Sequence, residues 1–275
     1  MAIPEPERTD ESRVLVAVDA SAASLLALEL AADLAAVLRA SLAGLFVEEE
    51  DLLHAAGLPF VREIRAQSGQ AAPFTATDLE RHWRALASDA RNALTRAAQA
   101  RRIAWSFEVV RGRASHVMSE AARNARLTGL GSGARAAGRL GSVARAALVA
   151  TESSLLLVPP QRRPGERWVA LVDTPGGAAA VLALASALAT TPAAPLLLVA
   201  PSLEALGQAA LAGTPGAAQL HRMALPELAE LPALVAILRA QRAQGLILAA
   251  DSRFADPAQV ERLVADGGWP VLLVR

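Results

Sequence analysis

The segment Gly131-Ser-Gly-Ala-Arg-Ala-Ala-Gly-Arg-Leu-Gly-Ser142 concentrates the residue types that can hold an anion. It carries four glycines, the arginines Arg135 and Arg139, and a closing Gly141-Ser142 step that opens a helix. Glycines such as Gly131, Gly133 and Gly141 let backbone N–H groups come close to an anion, and a helix N-terminus adds partial positive charge. Ser142 is expected to serve both as N-cap and as a phosphate donor, with Ser132 beside it in the loop. Arg135 and Arg139 are expected to pair with phosphate oxygens. The same residues also suit an ordinary turn with a capped helix and solvated arginines, so their place in the fold decides between the two.

Other chemistry is thinly represented. There is no cysteine, which removes disulfides, thiol catalysis and Cys-ligated zinc or iron–sulfur sites. All 27 basic residues are arginine, so there is no Walker lysine, Schiff-base lysine or Ser-Lys dyad. His54, His82, His116 and His221 are scattered, and none lies at metal-ligand spacing. Ser132 lacks a glycine two places before it and is not a nucleophile elbow. Glu48 to Asp51 is read as a solvated acidic cluster. Formal net charge is zero and aromatic residues are only 3%, which argues against a nucleic-acid partner.

The elements that must position these groups alternate. Val14 to Val18 is a continuous β-branched and aliphatic run ending in Asp19, as a strand buried on both faces reads. Ser24 to Leu38 is helical, Leu42 to Val47 a second strand, Asp78 to Ala100 a long helix and Ile103 to Val110 a third strand. Ser115 to Asn124 is helical, Leu127 to Leu130 a fourth strand, Ser142 to Ala150 a short helix and Ser154 to Val158 a fifth strand. Such alternation implies crossover connections and a parallel sheet. The stretch Glu48 to Thr77 is an excursion near the mouth of the sheet, helical around Leu52 to Ala66. Trp83, Trp105, Trp168 and Trp269 are expected in or near the core.

The second half repeats the plan in shorter form. Trp168 to Asp173 echoes Val14 to Asp19, Gly245 to Ser252 echoes Leu127 to Ser132, and Val271 to Val274 echoes Leu155 to Val158. Helices are expected over Gly176–Ala189, Leu231–Arg242 and Pro257–Ala265, with strands at Leu196–Val199 and Leu220–Ala224. Gln161 to Glu166, polar and Pro/Gly-bearing, is the linker, giving units at 1–160 and 161–275. Two carboxylates, Asp251 and Asp256, stand where the first half has glycines and are expected to close that site to phosphates. The uncharged stretch Thr174 to Leu203 is cut by Gly176-Gly177, Pro192 and Pro195, too short in its parts for the ~20 residues of a spanning helix. No apolar signal core is present in Met1 to Glu11, so a cytoplasmic protein without membrane insertion is expected.

In an open α/β sheet, ligands bind beyond the carboxyl ends of the strands where the winding reverses. Asp19 and Gly131 would face one such crevice if strands one and four are neighbours. The run Val-Ala-Val-Asp-Ala-Ser and the run Gly-Ser-Val-Ala-Arg-Ala-Ala-Leu before a strand ending in Val resemble the universal stress protein family. The resemblance covers both halves. It implies two tandem flavodoxin-like domains, each a five-stranded parallel sheet of order 3-2-1-4-5, related by a pseudo-two-fold. It further implies ATP or another adenine nucleotide as ligand, with Ala17 and Asp19 near the adenosine and Val47 at the adenine. Gly131, Gly141, Ser142 and Val143 would then meet ribose and phosphates. The ATP-binding subset carries Gly, two residues, Gly, nine residues, Gly, then Ser or Thr. With Gly131 and Gly141 as the second and third glycines, the first falls on Thr128. With Gly131 as the first, the second falls on Ala134 and the loop is three residues short. Resemblance also implies that the two fifth strands pair antiparallel, an internal pseudo-dimer. A nucleotide-binding stress or regulatory protein, with at most slow ATP hydrolysis, is the reading that follows. The alternative is an interaction module that presents Glu48–Thr77 to a protein partner.

Overall fold

The structure is a computed structural model that describes residues 12–58, 60–64, 69–133, 139–189, 196–200, 221–224 and 230–275. Its first strand, β1 (Arg13–Ala17), is buried on both faces, as its unbroken aliphatic run requires. Asp19 and Ala20 turn the chain, and Ser21 caps α1 (Ala22–Leu38) by accepting the N–H of Ser24. A left-handed Arg39 ends that helix and leads into β2 (Ser41–Glu49).

The excursion departs from expectation. Helix α2 (Glu50–Ala56) is shorter than the expected partly helical stretch Leu52 to Ala66, whose last residues lie outside the described ones, and the poor helix former Gly57 follows it. An antiparallel hairpin follows, β3 (Arg62–Ile64) with β4 (Ala71–Pro73). The acidic cluster is partly paired: Arg111 meets Glu48 at 2.8 Å, and Glu49 accepts the N–H of Ala114 at 3.1 Å. Helix α3 (Ala76–Arg101), capped by Thr75, is tied to α1 through Arg101, which reaches Glu29 and Asp33.

Next come β5 (Trp105–Gly112), α4 (Ala114–Ala122), β6 (Leu127–Gly131), α5 (Ser142–Ala150) and β7 (Ser154–Val158). After β7 stand β8 (Arg167–Leu171), α6 (Pro175–Ala189), β9 (Leu196–Ala200) and β10 (His221–Ala224). The chain closes with α7 (Leu231–Ala240), β11 (Ala243–Ala249), α8 (Pro257–Glu261), one π turn at Arg262–Asp266, and β12 (Val271–Val274).

The main strands form one ten-stranded sheet in the order β10-β9-β8-β11-β12-β7-β6-β1-β2-β5. Every neighbouring pair is parallel except β12 and β7, where Val271, Leu272 and Leu273 lie opposite Leu157, Leu156 and Leu155. Helices α1, α3 and α6 cover one face; α4, α5, α7 and α8 cover the other. Period-two alternation sends Leu156 and Leu272 into the first layer and Leu155 and Leu273 into the second, so both cores run unbroken across the antiparallel junction. Trp83, Trp168 and Trp269 are buried. Trp105 is not: it stands on the outermost strand β5, which has a neighbour on one side only, and is 38% exposed. No helix among the described residues is long and apolar enough to cross a membrane.

Candidate functional site

In the sheet, β1 lies beside β6, so the turns after both strands open into one crevice. The crevice is a cavity of about 260 Å3. Ala17 and Asp19 enter it from the end of β1 and Val47 from β2, with Gly131, Ser132 and Gly133 following β6. Gly141, Ser142 and Val143 close it at the start of α5. Arg135 lies outside the described residues. Arg139 is described, stands exposed, and is not part of the cavity wall.

Asp19 holds the turn together. Its Oδ1 accepts the N–H of Ser21 at 2.9 Å, and its own N–H donates to the Ser24 hydroxyl at 3.3 Å. The side chain is open to solvent, yet it sits in a crevice where partial burial pushes the carboxyl up. Hydrogen bonds from the side chains of Ser21 and Ser24 and from nearby backbone N–H groups outweigh that push and hold it below the ordinary carboxylate range. A carboxylate at this strand end is therefore an acceptor, suited to a hydroxyl.

The opposite wall supplies donors. Helix α5 begins at Ser142, with Gly141 as its N-cap. Ser142 is thus the first helical residue, and its expected role as side-chain cap is corrected. The chain enters the helix with Gly141 in extended conformation, which places the cap one residue earlier. Gly141 has no side chain to cap with, so the N–H groups of the first turn have no side-chain partner among the described residues. The Ser132 hydroxyl, buried in the cavity floor, also lacks a hydrogen-bond partner there. Open donors at a helix N-terminus beside an orphaned hydroxyl suit an anion.

A family model for the universal stress protein family matches residues 12–159. The chain belongs to that family. Its fold is similar to a universal stress protein of Archaeoglobus fulgidus DSM 4304, with 14% identity, 97% of each chain covered and a TM-score of 0.63. Shorter universal stress proteins also align. One is UspA from Lactobacillus plantarum, at 20% identity, covering 55% of this chain and 99% of that one, TM-score 0.39. Another was solved in complex with cAMP, at 20% identity, covering 55% of this chain and 98% of that one, TM-score 0.39. None of the curated proteins matches this chain.

The strands β8 and β11 are also neighbours, and Asp251 lies between the turns that follow them. The Asp251 carboxylate accepts a hydrogen bond from Thr174 at 2.8 Å and lies over the two glycines that open α6. A Cβ on either Gly176 or Gly177 would come within 2.6 Å of an Asp251 oxygen. Asp173, with a side chain only 1% exposed, is held through its Oδ2 by the Ser252 hydroxyl, the Arg253 N–H and the Arg253 guanidinium, while its buried Oδ1 has no hydrogen-bond partner among the described residues. Asp256, expected to join Asp251, instead caps α8 by accepting the N–H groups of Ala258 and Gln259.

Sequence reasoning missed part of the first cavity's wall. Ser21 and Ser24 had a signal, since Asp-x-Ser-x-x-Ser is N-cap spacing. Ala114 and Met118 of α4 had none; they reach the cavity only through helix packing.

Proposed function

We propose that this universal stress protein binds an adenine nucleotide, with ATP as the first candidate, in the crevice between β1 and β6. The observation that carries the reading is the wall itself: an acceptor carboxylate, Asp19, faces the donor turn of α5, Ser142 and Val143. The base would lie against Val47 and Ala17, the ribose near Asp19, and the phosphates along Gly131–Gly133 and the start of α5. Asp19 is the one ionisable side chain among the described wall residues, which favours binding over acid–base catalysis. We further propose that residues 1–160 and 161–275 are two copies of one domain, related by a pseudo-two-fold at the β7–β12 junction. The same strand order read inward from each outer edge supports this. In that arrangement the second copy keeps the scaffold and, through Asp251, has lost the phosphate cradle.

A second reading has its own support. Phe60 and Ile64 of the excursion are 78% and 72% exposed, beside an exposed Leu58, which suits a protein partner. Calorimetric titration of ATP into wild type and Gly141→Asp separates the two. The new carboxylate would cap α5 itself and repel phosphate, so at least about tenfold weaker binding is expected; its Cβ would stand 3.1 Å from the Ser132 carbonyl oxygen, so a lower thermal midpoint is expected with it. Equal affinity in both proteins would refute this site. No ATP bound by either would leave the partner reading standing.

A further inference from the structure

Helix α5 belongs to the first half, but both its ends are held by the second. Just before its start, the N–H of Leu140 donates to Glu261 Oε1 of α8 at 2.7 Å. Near its other end, the guanidinium of Arg275 donates to the Leu148 carbonyl at 3.0 Å, and the Arg275 N–H meets Ser154 Oγ at 3.3 Å. These partners lie 121 to 127 residues apart in sequence. Each contact suits the group it meets. Leu140 is buried, so its N–H needs a partner, and a carboxylate makes a charge-assisted bond. Leu148 lies in the last turn of α5, where carbonyls have no helical partner and a cation complements the dipole. No basic residue of α5 itself occupies that turn.

The consequence falls on the cavity. Leu140 N–H points to Glu261, and the next N–H, of Gly141, donates to the Ser132 carbonyl at 2.6 Å. The Gly141 carbonyl in turn accepts from Arg145 at 3.0 Å. With these groups taken, the N–H groups left without a partner among the described residues of the cavity wall at this turn are those of Ser142, Val143 and Ala144. We infer that Glu261 and Arg275 are positioning residues, a two-point clamp by which the second half sets the donor turn of the first half's site. The second half, where Asp251 lies over the glycines of α6, thereby contributes to its neighbour's site. The ligand in this inference rests on the nucleotide reading above; the clamp itself does not.

The test uses the full chain. In Glu261→Leu, amide hydrogen exchange should quicken at Leu140, and also at Gly141 and Arg145, which Glu261 does not touch. ATP affinity should fall about tenfold, the size of one lost hydrogen bond to a charged group. Glu261→Gln keeps an acceptor oxygen and should restore both to within about twofold. Arg275→Met, at the far end, should weaken ATP binding about threefold, as a dipole contact does. It also decides the matter if Glu261→Leu fails to fold. Unchanged exchange at Gly141 and Arg145 in Glu261→Leu, or in Arg275→Met should that protein fail to fold, would overturn the clamp. If wild type takes no ATP, the nucleotide reading fails while exchange still decides the clamp.

Discussion

Gly131 leaves no room for a side chain: a Cβ there would lie 2.7 Å from the Ser24 amide nitrogen and 2.8 Å from the Ala23 carbonyl carbon. Close approach of β6 to the start of α1 is what brings the two strand-end turns into one cavity. Gly133 is needed for a different reason, its φ of +61°, which side chains rarely tolerate. Asp19 joins the same turn through charge. Its carboxyl lies below the ordinary range in the folded chain, so its stabilising contribution is complete above the unfolded value near 3.8. That contribution is lost as pH falls through the lowered folded value. Urea unfolding of wild type and Asp19→Asn should therefore show a stability gap at pH 7 that narrows towards pH 3. A gap that stayed constant across that range would mean the carboxylate's charge is not what holds the turn.

The helices that frame the cavity begin in opposite ways. Helix α1 is capped by its own Ser21, whose hydroxyl takes the Ser24 N–H at 3.2 Å, while α5 opens on a glycine with nothing to offer. One terminus is thus closed by its own side chain, and the other is open, as the proposed nucleotide site requires. Ser21→Ala should cost about 1 kcal/mol of stability, the usual value of a lost N-cap, measurable by chemical denaturation. No change at all would show that the Ser24 bond carries no net energy. The strands of the first half were legible because aliphatic runs are local patterns; its caps were less so, since Ser142 was expected to cap α5 and Gly141 does, and Ser21 was not singled out. The excursion was less so. Its apolar residues permitted a partly helical stretch to Ala66, but the helix ends before Gly57, and Arg62–Ile64 pairs with Ala71–Pro73.

At the scale of the molecule, β7 and β12 close the two halves into one sheet. Leu273 is 1% exposed and lies opposite Leu155, so its side chain is part of a core that both halves build. Replacing it with Arg buries an unpaired charge there, a loss expected to exceed about 4 kcal/mol. Trp83 and Trp105 report on the first half, Trp168 and Trp269 on the second. In Leu273→Arg, with tryptophans retained in one half at a time, both sets should unfold at the same lowered denaturant concentration. A first half that kept its wild-type midpoint would show that the halves fold independently.

The sequence by itself determined most of the elements and, among the crevice's polar residues, Asp19, Ser132 and Ser142. Buried strands read as aliphatic runs, helices as spaced apolar faces, and Asp19 and the Gly131–Ser142 loop stand at strand ends whose chemistry is local. Tertiary structure alone decided which of these residues meet and what fills each site. Arg139 had the right charge, but its side chain stands outside the cavity wall. Trp105 had a core residue's composition, but β5 is an outermost strand. Asp256 was read as a phosphate repellent and is spent on a helix cap, while Asp251 alone covers the glycines of α6. Glu261 and Arg275 carry no pattern at all. Their partners are more than a hundred residues away, and only the joining of the two halves brings a carboxylate to Leu140 and a guanidinium to Leu148.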